Sequence, residues 1–167
     1  MHKRLIGCVA GACALTLAAS GQAIARAGDR TAAETYPVAT DLCQRAAAGN
    51  LGARLEASRS QVLADCDALV NAYGPLVSTV DAAESQELAT IAAQRSLVAS
   101  ACAKPVADRA ACQAARATAI TTDGAARTTL RTAVLAYHTA VENNRQTFWS
   151  AIEALHDASP PAPATTS

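Results

Sequence analysis

Aromatic residues are scarce in this chain, with one Phe, one Trp and three Tyr. Runs of aromatic and β-branched residues are absent as well, so a sheet has little to build from. There is no C-x-x-C pair, which removes the thioredoxin-like redox motif and the usual zinc-knuckle spacing. No C-x-x-C-H haem-attachment site, no G-x-S-x-G elbow and no phosphate-cradling glycine loop occurs. Met1 is the only methionine, so the His/Met haem ligation of some helical bundles is not expected. These absences point away from an enzyme and away from a resident metal or cofactor.

What the chain does have begins at its N-terminus. Met1-His2-Lys3-Arg4 is cationic, Leu5 to Ala19 is apolar, and Ala23-Ile24-Ala25 is a small-x-small pattern. Residues 1–25 therefore read as a secretory signal peptide, cut ahead of Arg26. The apolar stretch is short of the roughly 20 residues that span a bilayer and contains Gly7, Gly11 and Thr16, so no membrane insertion is expected after cleavage. Leu5-Ile6-Gly7-Cys8 has the form of a lipobox, but Cys8 follows the charges with no apolar run ahead of it. That argues against a lipid anchor and for a periplasmic or secreted protein. Loss of Lys3 and Arg4 leaves 12 basic against 14 acidic side chains, a net −2. Such a balance gives no reason to expect nucleic acid or an anionic membrane as partner.

Ala dominates the remaining sequence, and Ala is the strongest helix former. An all-α fold is expected, with a thin core because each Ala methyl buries little area. The cysteines supply a second constraint. Cys8 and Cys13 leave with the signal peptide, and Cys43, Cys66, Cys102 and Cys112 remain. In an oxidising compartment an even set reads as two disulfides, each contributing about 2–4 kcal/mol. Pairing neighbours, Cys43 with Cys66 and Cys102 with Cys112, is favoured, while a Cys43–Cys112 bridge stays open.

Residues 26–38 lack period and read as a flexible leader ending at Tyr36-Pro37. The helical domain is placed at 39–157 and a disordered Pro-rich tail at 158–167. A short helix begins near Thr40 or Asp41 and stops at Gly49-Asn50. From Ala53 to Tyr73, the residues Leu55, Val62, Cys66, Leu69 and Tyr73 share one face, and Gly74-Pro75 is expected to end that helix. A third helix, capped at Ser78-x-x-Asp81, carries Leu88, Ile91, Arg95, Val98 and Cys102 along one helical face and ends at Lys104-Pro105. The fourth buries Val106, Ala110, Ala117 and Ile120 and breaks at Thr121-Thr122-Asp123-Gly124. The last runs from Asp123 towards Asp157 on a stripe of Leu130, Val134, Tyr137, Val141, Phe148, Ile152 and Leu155. Together these predict an antiparallel up-down bundle of four main helices plus a short N-terminal helix, held by two disulfides.

Only His138 and His156 survive signal cleavage. Separated by 18 residues of one helix, they stand about 27 Å apart by the helical rise and cannot share a ligand. They belong instead to a series at three- and four-residue steps: His138, Glu142, Arg145, Trp149, Glu153 and His156. Arg145 precedes Trp149 by one turn, close enough to stack, and exposed Trp and Arg are over-represented at binding hot spots. The bland alternative is that Trp149 merely covers the seam with a neighbouring helix.

Ala64-Asp65, Leu69, Asn71 and Tyr73, then Ala93-Gln94-Arg95 and Cys102, resemble the periplasmic helical domain of LprI-type lysozyme inhibitors, which carries A-D-x-x-L-N-x-x-Y and A-Q-R-x-W. Val70 separates Leu69 from Asn71, Leu97 replaces the Trp, and the cysteine spacings differ. The resemblance implies an inhibitor of a wall-degrading enzyme. The residues themselves lead to a broader expectation: an exported, non-enzymatic bundle that binds another protein as inhibitor, adaptor or stress-type factor. A carrier holding a small apolar ligand between Ala-rich helices is the alternative.

Overall fold

The computed structural model describes residues 30–103 and 108–158. Residues 1–29, with the expected signal peptide and the start of the expected leader, Lys104 to Ala107 with Val106, and the Pro-rich stretch beyond Ala158 lie outside the described residues. Five helices follow in order: α1 (Ala32–Thr35), α2 (Pro37–Ala48), α3 (Ala53–Glu56), α4 (Arg59–Cys102) and α5 (Arg109–Ala158). The described chain is all-α, with no strand. No described helix is long and apolar enough to cross a membrane.

The architecture differs from the expected four-helix bundle, because both internal breaks are absent. Helix α4 runs through Gly74-Pro75, with Pro75 inside it, and α5 runs through Thr121 to Gly124. Two long antiparallel helices replace four shorter ones. At the first site Asn71, Gly74 and Pro75 all face solvent, so the carbonyl that loses its partner to the Pro ring is open to water. The seam residues Leu69, Tyr73 and Val80 pass on the opposite side. Ser78 and Thr79 hydroxyls donate back to the carbonyls of Gly74 (3.1 Å) and Pro75 (2.9 Å), so Ser78 closes onto the helix instead of capping a new one. The second site behaves alike. Thr121 donates to the Ala117 carbonyl at 3.2 Å and Thr128 to that of Gly124 at 2.9 Å. Gly74 and Gly124 keep helical backbone; the positive-φ glycines are Gly49 (74°) and Gly52 (82°).

At Gly49 the expected stop does occur. Its left-handed backbone caps α2, and Arg59 donates to the last carbonyls of that helix, to Ala46 at 2.6 Å and Ala47 at 2.8 Å. A cation at that end satisfies orphan acceptors and the helix dipole together. The chain is also helical earlier than its lack of period suggests. Thr31 and Glu34 form a reciprocal capping box over α1, and Pro37 takes the first turn of α2, where its missing N–H costs nothing.

The core sits at one end of the long hairpin. Tyr36, Ala39, Leu42 and Ala46 of the N-terminal layer pack on Val62, Cys66, Leu69 and Tyr73 of α4 and on Tyr137, Phe148 and Ile152 of α5. Cys43–Cys66, with Cα atoms 5.8 Å apart, ties α2 to α4 there, and Cys102–Cys112, at 4.9 Å, closes the far tip. These are the favoured neighbour pairings. Beyond Val80 no described residue is buried until Tyr137. Ile120, expected inside, is 75% exposed, and Leu88 and Leu97 are 56% and 58% exposed, because the helices meant to cover this stretch are continuations of α4 and α5 themselves.

Candidate functional site

The predicted binding series lies on the uninterrupted second half of α5, so one unbroken helix presents it. Glu142 is its best-organised member. Arg145 donates to both carboxylate oxygens, Nε to Oε2 at 2.8 Å and the terminal nitrogen to Oε1 at 2.6 Å, and Gln146 adds a third bond at 2.9 Å. The Arg145 fork, followed by Gln146, holds the Glu142 carboxyl down to about 2. Arg145 is raised in turn by the same pair.

Trp149 is half-buried. One side packs against the core cluster, and its ring meets Phe148 edge-on with centroids 5.2 Å apart. Phe148 takes the core position and Trp149 the flank, as the 100° step between neighbours requires. At the end of the series His156 Nε2 accepts from Arg54 of α3 at 3.4 Å, and its Nδ1 stands 3.5 Å from Asp157. His138 is exposed, its ring 5.4 Å from that of Tyr137, and Glu153 is exposed between Trp149 and His156. The series is thus one continuous flank. Arg54, invisible as a participant in a linear reading, joins it because α3 folds against α5.

Two features escaped the sequence. All three tyrosines of the chain meet under this flank, Tyr36 edge-on to Tyr73 at 5.9 Å and Tyr73 edge-on to Tyr137 at 6.3 Å. Tyr73 donates to the Arg30 carbonyl (2.8 Å) and accepts from Thr35 (3.0 Å), so Tyr137, 3.3 Å away, must be a donor to Tyr73. Burial, then loss of that donated bond, pushes Tyr137 up to about 12. Burial raises Tyr36 as well. This hydroxyl network pins the leader to both long helices. In the sequence Tyr36 ends the leader while Tyr73 and Tyr137 belong to separate helical stripes, and only their three-dimensional meeting reveals the cluster.

The second is a pair of shallow cavities. One of about 250 Å³ lies between α4 and α5, bordered by Asp65, Leu69, Asn144 and Phe148. Gln61 donates to one Asp65 oxygen at 3.1 Å, while the other is buried without a protein partner. The other cavity, of about 290 Å³, lies between α2 and α4 beside the Cys43–Cys66 bridge and Asp67. The two acidic residues flanking Cys66 therefore serve opposite sides of α4. Among the described residues no group of three His, Cys, Asp or Glu could hold a metal ion. Comparison with protein-family models, curated proteins and solved structures finds no match for this chain.

Proposed function

We propose that this is an exported, non-enzymatic protein that binds another protein through the α5 flank from His138 to His156. Support comes chiefly from Trp149: a large ring anchored on Phe148 yet half open, next to a guanidinium held in a fixed fork by Glu142. Rigid aromatic and Arg groups lose little entropy on binding and can carry most of an interface. The disulfides favour an oxidising compartment, periplasmic or external, consistent with an N-terminal secretory signal. Inhibitor, adaptor and stress-type roles all fit such a face.

Crosslinking the protein in its native envelope and identifying the captured chains tests the proposal. Trp149→Ala should reduce capture at least about tenfold, as loss of a hot spot does; capture at unchanged yield would refute it. The cavity beside Cys43–Cys66 favours the second reading, a carrier of a small apolar ligand. Its volume of about 290 Å³ lies at the lower bound of small-molecule sites. A reproducible added small mass on the exported protein would support it.

A further inference from the structure

We infer that two copies of this chain associate through the stem of the hairpin, residues 81–102 of α4 with 109–130 of α5, face to face and antiparallel. The stem's own seam is thin. Ala83, Glu87 and Gln94 of α4 and Ala115, Ala119 and Ala126 of α5 are only half-buried, and the pair closes at the Cys102–Cys112 tip.

The two broad faces beside that seam are unlike. In an antiparallel pair of right-handed helices, positions one and four residues after a seam position fall on the same broad face of both helices. On α4 those positions bring Leu88, Ile91 and Val98 with Glu84 and Arg95, and on α5 they bring Ile120 and Leu130 with Arg116, Asp123 and Arg127. Glu87 and Arg127, paired at 3.8 Å, bridge the helices towards this side. The opposite face carries Ala, Thr, Gln and Ser with Leu97 alone. Leu88 and Ile120 are 56% and 75% exposed.

Charge and size select the occupant. Within the stem the basic Arg95, Arg109 and Arg116 stand towards the tip, whereas Asp81, Glu84 and Glu87, the last already paired with Arg127, stand towards the core end, with Asp123 midway. A copy turned end for end sets each basic tip against the other's acidic base, and it brings Leu88 near the partner's Ile120 with Ile91 close to the dyad. A parallel arrangement would oppose like charges. The stem's 22 residues of α4 make it about 33 Å long at 1.5 Å each, and two helices are about 20 Å wide. Such a face hides roughly 650 Å² per copy, or about 1,300 Å² in all, within the range of specific interfaces.

Sedimentation equilibrium on the purified, disulfide-bonded protein tests this. Twice the chain mass is expected, with Leu88→Glu or Ile120→Glu raising the dimer Kd at least about tenfold at unchanged helical circular dichroism. Arg95→Glu with Arg116→Glu should also weaken association, and adding Asp81→Arg with Glu84→Arg should restore it. A monomer throughout the micromolar range, or a dimer indifferent to these changes, would overturn the inference. So would a different protein held by this face in place of a second copy.

Discussion

The two ends of the hairpin are built from the same helices and held in different ways. At one end α4 and α5 are covered by α1 and α2, tied by Cys43–Cys66 and centred on Tyr36, Tyr73, Tyr137 and Phe148. At the other they have only each other and a tip disulfide, and no described side chain from Asp81 to Ala136 is buried. Helix propensity is high in both. What differs is side-chain volume, since isolated helices gain most of their stability from packing an apolar face.

That contrast can be broken at its core. Phe148→Ala should cost about 3–5 kcal/mol, whereas Leu97→Ala, on the bare stem, should stay within about 0.5 kcal/mol. Urea unfolding followed by circular dichroism measures both. Removing Cys43–Cys66 by paired Ser substitutions should cost about 2–4 kcal/mol and loosen α2; removing Cys102–Cys112, which closes the shorter loop, should cost less and fray only the tip. Pro75→Ala should raise stability by about 1–3 kcal/mol, because the helix already runs through that position and regains a bond.

Titration sharpens the contrast without changing the packing. Tyr137 ionises at about 12 in the folded chain against an ordinary 10.0. The folded form therefore holds that proton more tightly, and the stability it contributes is complete below pH 10 and lost as the pH rises towards 12. Tyrosinate absorbance should appear together with loss of helix. Glu142 shows the opposite sign: its carboxyl, normally near 4.5, titrates at about 2, so its contribution is present above pH 4.5 and fades as the pH falls towards 2. Arg145→Gln should return the NMR titration of Glu142 towards the ordinary value. The fold should change little, since the pair is exposed.

Much of the clamped end was legible from spacing alone. The stripe Val62, Cys66, Leu69, Tyr73 and the positions Tyr137, Phe148 and Ile152 are buried as their periodicity implies. Both disulfides join the neighbours favoured for them. The stem departs from the helix breaks its sequence suggests because Gly and Pro record a backbone preference without recording whether the freed carbonyl faces water. Gly49 stops a helix where its backbone turns left-handed; Gly74 and Gly124 do not. Of the candidate site, the series on α5 and the flank position of Trp149 followed from helical steps. Arg54 and the tyrosine cluster did not, since each depends on which helices meet.

Hydrogen exchange along α4 and α5, recorded across a range of protein concentrations, tests the division most directly. Amides at 62–80 and 137–152 should be protected at every concentration, and those at 84–98 and 112–126 only as concentration rises. Uniform protection along both helices, independent of concentration, would contradict it.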